Sequence, residues 1–160
     1  MQDHGSLVAV LNSTWFASGL EPAVQTRLAE LSRTFSAEPG QELFREGDES
    51  EVFGVVIKGR VALRTRVPER GDFTILTVEP GDVYGWSAVV PPYRATSSAV
   101  AIEKLEAITF EGPALRAALR EDAALAQALY PRILVAVARR LTATRVQLMD
   151  LFAAEEVHSW

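Results

Sequence analysis

From about Ser32 to Phe110 the chain is cut into short pieces by glycine, at Gly40, Gly47, Gly59, Gly71, Gly81 and Gly85. Inside the pieces the apolar residues keep a period of two. Phe53, Val55 and Ile57 alternate with their neighbours. Val61, Leu63, Thr65 and Val67 then alternate with Arg60, Ala62, Arg64 and Arg66, which predicts one buried face and one face carrying three arginines. Phe73 to Val78 and Ser98 to Phe110 are further strand-like runs. Short strands about ten residues apart, joined by Gly and Pro turns, point to a β-sandwich or barrel. A weak internal echo points to a double-wound barrel: Glu38-Pro39-Gly40 precedes Leu43 and Phe44, as Glu79-Pro80-Gly81 precedes Val83 and Tyr84. Two similar turns or a true repeat would both produce it.

The ends of the chain have a different period. Leu7, Val8, Val10 and Leu11 precede Asn12-Ser13-Thr14, a capping run for a short helix beginning near Trp15-Phe16. Glu21-Pro22 opens a second helix, with Pro22 in the first turn and an apolar stripe at Val24, Leu28 and Leu31. After Gly112-Pro113 a short helix passes through Leu115 and Leu119. From Asp122 helical pattern runs to about Phe152, where Pro131 either kinks the segment or starts a new helix. Leu134, Val137, Leu141, Thr144, Leu148 and Leu151 form a heptad seam with Thr144 as its one polar member. The expected architecture is mostly β with flanking helices. It is a double-stranded β-helix (jelly-roll) barrel with N-terminal helices and a long C-terminal helix. One domain covers 1–160, with helices in 1–31, the barrel in 32–110 and C-terminal helices in 112–156.

An apolar share of 48% over 160 residues is enough for one domain that buries roughly 70% of its unfolded surface. The chain has no Cys, which excludes disulfides, thiolate zinc sites, iron–sulfur clusters and Cys nucleophiles. Its two His, His4 and His158, lie near the ends, where a metal or catalytic centre is not expected. A cupin-type metal enzyme or a haem sensor would need ligands on the inner strands, so no enzyme activity and no cofactor are expected. The net charge of −5 argues against a nucleic-acid footprint. No Lys or Arg precedes Arg27, and the longest early apolar run is Leu7 to Leu11, so neither a signal peptide nor a membrane span is expected. A cytoplasmic protein is the expectation.

The stretch from Gly81 to Ser98 holds the chemistry. Gly81 and Gly85 lead into a short segment bearing Ser87, Pro91-Pro92 stops it, and Arg94 follows. Backbone N–H groups at such a turn attract an anion, and a fixed Arg adds a planar, permanently charged partner for phosphate. A tight loop with a surface Arg is the plainer alternative.

Together with its surroundings the stretch resembles the cyclic-nucleotide-binding domain of catabolite-activator-type regulators, kinase regulatory subunits and cyclic-nucleotide-gated channels. The resemblance runs from about Trp15 to Phe152. It rests on Gln41 to Asp48, on Val55-Val56-Ile57-Lys58-Gly59-Arg60-Val61, on the cassette Gly81 to Ser98, and on Ala138-Arg139-Arg140-Leu141 in the long helix. It implies that Arg94 pairs with a cyclic phosphate and that Gly85, Ser87, Ala88 and Ala95 surround it. Arg140 and Thr144 match positions from which the long helix contacts the base in some members. The family's ribose-gripping glutamate falls at Trp86. An indole donates one N–H and accepts nothing, so it cannot replace that carboxylate, and it is large enough to fill a ribose site.

The resemblance therefore implies a regulatory sensor or adaptor. Its ligand would be cyclic AMP, cyclic GMP or another small anion, and its output would pass to an unidentified protein partner or to its own twin. The seam at Leu134, Val137, Leu141, Leu148 and Leu151 predicts a homodimer, although the same stripe could pack on the chain's own barrel. The alternative is a ligand-free assembly module in which the indole of Trp86 plugs the pocket. Eight residues follow Phe152, so no helix-turn-helix is expected within this chain, and it reads as a stand-alone domain.

Overall fold

In the computed structural model, residues 3–157 are described. Helices α1 (His4–Asn12) and α2 (Pro22–Leu31) lead into eight strands: β1 (Ser32–Ala37), β2 (Glu42–Phe44), β3 (Val52–Lys58), β4 (Val61–Val67), β5 (Gly71–Val78), β6 (Val83–Tyr84), β7 (Ser98–Ala101) and β8 (Leu105–Glu111). A 3-10 turn at Trp86–Ala88 follows β6, and helices α3 (Gly112–Glu121) and α4 (Ala123–Val157) close the chain.

The strands form two antiparallel four-stranded sheets, ordered β1-β8-β3-β6 and β2-β7-β4-β5. They face each other as a jelly-roll sandwich. No strand pairing among the described residues closes them into the barrel expected from the alternation. Two apolar clusters hold the layers together. One lies between the sheets and joins Val56, Leu105 and Tyr84 to Leu63, Val78 and Ala101. The other lies between the first sheet and the helices, and it joins Phe53, Val55 and Ile108 to Phe16, Leu28, Leu115 and Leu129.

Position in the layers explains where strict alternation fails. In β3, Phe53 to Val56 are all buried, because one face meets the helices and the other meets the second sheet. In β4, the short Ala62 side chain is buried along with Val61 and Leu63, in a cross-strand row between Thr77 of β5 and Val100 of β7. Ala62 therefore interrupts the arginine-bearing side between Arg60 and Arg64.

The two Glu-Pro-Gly turns have one hydrogen-bond pattern. Gln41 N–H donates to the Glu38 carbonyl (3.1 Å) and Asp82 N–H to the Glu79 carbonyl (3.0 Å). Pro then Gly, with φ +87° at Gly40 and +88° at Gly81, is type II turn chemistry. Each turn also exchanges two bonds with a strand of the sandwich. The Gly40 N–H donates to the Ala101 carbonyl, and the Ala101 N–H donates back to the Gln41 carbonyl. The Gly81 N–H donates to the Val56 carbonyl, and the Val56 N–H donates back to the Asp82 carbonyl.

The first helix is earlier than its capping run predicts. It spans His4–Asn12, and 13–19 are turns. Leu7 and Leu11, one turn apart, are buried, and the Asp3 side chain accepts the Gly5 N–H at the helix start. The Ser13 and Thr14 hydroxyls donate backwards to the Val10 and Leu11 carbonyls, both at 2.6 Å, so they end a helix instead of opening one. Pro131 neither breaks α4 nor starts a new helix; it lies inside one 35-residue helix. The Asp122 side chain caps that helix by accepting the Leu125 N–H at 3.0 Å. No helix among the described residues is long and apolar enough to cross a membrane.

Candidate ligand site

The cassette is built outward from β6, where Val83 pairs with Val55 and Tyr84 with Gly54. Gly85 follows with φ +74°, and a Cβ there would lie 2.2 Å from the Val52 carbonyl oxygen. Only glycine fits this close crossing. The chain then makes its 3-10 turn, in which the Ala88 N–H donates to the Gly85 carbonyl (3.0 Å) and the Val89 N–H to the Trp86 carbonyl (3.1 Å). Ser87 is buried, with its Oγ 3.0 Å from the Ser50 Oγ.

Two helices grip this turn through arginine. Arg116 of α3 donates from Nη1 to the Ala88 carbonyl at 2.7 Å. Arg140 of α4 donates from Nη2 to the Val83 carbonyl at 2.8 Å. The Nε of Arg140 is buried without a partner. Burial lowers the pKa of this guanidinium, while Asp82 pulls the other way; an arginine stays charged in either case. Tyr93 has a left-handed backbone, φ +59°, and its ring lies 4.3 Å beneath the Arg116 guanidinium.

Arg94 forms an isolated bridge with Glu49, and its Nη1 donates to the Gly47 carbonyl at 3.0 Å. The side chain is exposed and makes no ion pair among the described residues. Beside it is a hollow of about 190 Å³ whose walls include Ser50, Tyr93, Arg94 and Arg116, with Glu49 and Glu51 at its side. Metal-binding groupings of His, Asp or Glu are absent among the described residues; His158 lies outside them.

The expected site residues are therefore divided. Gly85, Ser87, Ala88 and Ala95 are buried and bonded to the protein itself; Ala95 exchanges backbone hydrogen bonds with Gly47 and Asp48. Arg94 faces the hollow, but neither Arg140 nor Thr144 lines it. The Thr144 hydroxyl donates to the Arg140 carbonyl of its own helix at 2.8 Å. Trp86 does not plug the space between the sheets, because it packs half-buried against the helix-side cluster. Tyr84 fills that space instead. Neighbouring strand residues face opposite ways, so Val83 meets the helices and Tyr84 points between the sheets. The Tyr84 ring stacks on Phe44 with centroids 6.3 Å apart. Sequence reasoning missed Tyr84, Ser50 and Arg116. The strand alternation carried a signal for Tyr84, whereas Ser50 and Arg116 reach the cassette only through tertiary contacts.

The sequence model of the cyclic nucleotide-binding domain family matches residues 34–122, more than half of the chain. Over 133 residues, 83% of this chain, the sequence is 27% identical to a CRP-like cAMP-activated global transcriptional regulator of Mycobacterium tuberculosis. The chain spans only 58% of that relative's length. Two solved structures share the fold at 26% and 27% identity. A candidate cyclic nucleotide-binding protein of Geobacter metallireducens superposes with a TM-score of 0.75, covering 88% of this chain and 99% of that one. A cAMP-binding acyltransferase of Mycobacterium smegmatis, in a mutant form, superposes with a TM-score of 0.69, covering 88% of this chain and 42% of that one. With the jelly-roll sandwich, the turn after β6 and the arginine that follows it, these matches place the chain: it belongs to the cyclic nucleotide-binding domain family.

Proposed function

We propose that the domain is a regulatory module in which Arg94 receives the phosphate of a cyclic nucleotide, or another small anion, and α4 passes the result to a second copy of the chain. The observation that carries this reading is the state of Arg94. Its guanidinium is aimed by one hydrogen bond to the Gly47 carbonyl, is exposed, and has no carboxylate partner among the described residues. A guanidinium in this state has donors left for an anion. Arg116 and Arg140 hold the two sides of the neighbouring turn, so a ligand that moves the turn also pulls on α3 and α4. Along α4, Leu134, Leu141, Leu148 and Leu151 are 67%, 61%, 54% and 67% exposed, with Val137 half-buried between them. That stripe suits two-fold pairing through a heptad seam.

A second reading, a ligand-free assembly module, is favoured by Tyr84. Its ring and Phe44 occupy the space between the sheets beside the cassette, and Trp86 offers no acceptor to a ribose hydroxyl. Thermal unfolding of the chain with millimolar cyclic AMP, cyclic GMP and plain nucleotides separates the two. A ligand at about 100 times its Kd adds roughly 2.7 kcal/mol, which should raise the midpoint by about 5–10 °C in a chain of this size. The sensor reading expects such a shift from one of these ligands and its loss in Arg94→Ala. No shift with any of them retires the nucleotide reading and leaves a non-nucleotide anion at Arg94 or the assembly module.

A further inference from the structure

A separate hollow of about 220 Å³ opens between β1, β2, β3 and β8, and it shares no lining residue with the one beside Arg94. It arises from one cross-strand row. Tyr84, Gly54, Thr109 and Arg33 stand in register across the four strands of the first sheet. Gly54 has no side chain, and the Tyr84 ring lies over it. A Cβ at position 54 would sit 2.2 Å from the ring's Cζ and 2.5 Å from its hydroxyl oxygen. The phenol therefore extends over β3 towards Thr109. Tyr84 is 1% exposed, lines the hollow, and its hydroxyl makes no hydrogen bond among the described residues. Burial pushes its pKa above the ordinary tyrosine range, so it stays a neutral donor. The hydroxyl is not among the buried side-chain atoms left without a partner, so it opens onto the hollow, where its donor is free for water or a guest.

Apart from Thr109, which adds a second hydroxyl, the inner walls are apolar and include Phe35, Leu43, Phe44 and Val52. At the rim Arg33 pairs with Glu111, so its charge is already answered. A charged guest would be buried without a free partner, which is costly. An apolar cavity of about 150 Å³ holds benzene, so the space here fits a ring with one small substituent.

We propose that this hollow binds a small, neutral, planar molecule, about the size of a substituted benzene, whose single acceptor takes the hydrogen bond of Tyr84. The test uses acetophenone, toluene and benzoate as probes, titrated into the full chain while the methyl resonances of Leu43 and Val52 are followed by NMR. Acetophenone should move both. Toluene should bind about twofold to tenfold more weakly, the worth of one neutral hydrogen bond, and benzoate should not bind. Tyr84→Phe keeps the ring and should reduce acetophenone to the affinity of toluene. Val52→Phe at the half-open edge narrows the hollow and should abolish the Leu43 shift. Unmoved methyls at saturating acetophenone overturn the proposal. So do an unchanged preference in Tyr84→Phe, benzoate binding as tightly as acetophenone, and a crystal structure with acetophenone in which only water meets the Tyr84 hydroxyl.

Discussion

Gly54 and Tyr84 are a matched pair, and neither makes sense alone. The ring needs a residue without a side chain on the next strand, and that strand is buried on both faces. Gly54→Ala should destabilise the fold by about 1–3 kcal/mol through overpacking. Tyr84→Ala should cost about 3–5 kcal/mol, as other buried rings do. In the double variant the clash has no partner, so the summed loss should fall short of the two single losses; urea unfolding of the three variants measures this. Tyr84 also predicts a pH limb. Its pKa is raised by burial in the folded state. The unfolded chain therefore loses that proton near the ordinary value of about 10, while the folded chain keeps it. The stability from the neutral phenol is complete below about pH 10 and declines as the pH rises above it, by up to about 1.4 kcal/mol per unit. Stability curves of the wild type and Tyr84→Phe should diverge in that range and run parallel below it. Parallel curves throughout would place the phenol in water. At this scale the sequence showed a cassette arginine and an indole where a carboxylate was expected. It did not show which way the indole turns, because that depends on how the 3-10 turn docks on the helices.

Helix α4 has two halves with different surroundings. In the first, Leu125, Leu129, Ile133 and Ala136 are buried against the domain. Beyond Arg140 only Ala143 is half-buried, and every other described side chain is exposed. The heptad seam was legible because its period is local. Whether the seam packs inward or outward was not, since either choice satisfies the same spacing. In the folded chain Leu134, Leu141 and Leu148 are exposed, while Leu151 lines a hollow against β4 and β5, so a buried partner would gain about 1.5–3 kcal/mol for each exposed leucine fully covered. Leu141→Glu with Leu148→Glu should give monomers by sedimentation and leave the thermal midpoint of the monomer unchanged. If the wild type already sediments as a monomer at high concentration, pairing through α4 is wrong. The Glu-Pro-Gly turns were legible for a similar reason: Pro and Gly state their backbone angles in sequence. The first helix was misplaced because Ser and Thr serve either end of a helix.

For the molecule as a whole, the question is whether the cassette and α4 move together. Arg140 links the Val83 carbonyl to α4, and Arg116 links the Ala88 carbonyl to α3. Hydrogen exchange with and without cyclic AMP should change at Gly85 to Val89 and in α4 in the same titration. In Arg140→Ala the first change should remain and the second should fade. Changes confined to the turn in the wild type would break the proposed link. Strand and helix content follow from sequence alone, because alternation, turn residues and helical period are properties of neighbours along the chain, whereas the family followed from the resemblance of several ordered motifs. The meetings that decide the site are of another kind. Ser50 meets Ser87, Arg116 meets Ala88 and Tyr84 meets Gly54 across separations of 37, 28 and 30 residues. Local sequence determined which segments become strands, turns and helices. Only the packing of two sheets and two helices decided which side chains fill the space beside Arg94, since register and docking are set by the fit of distant surfaces.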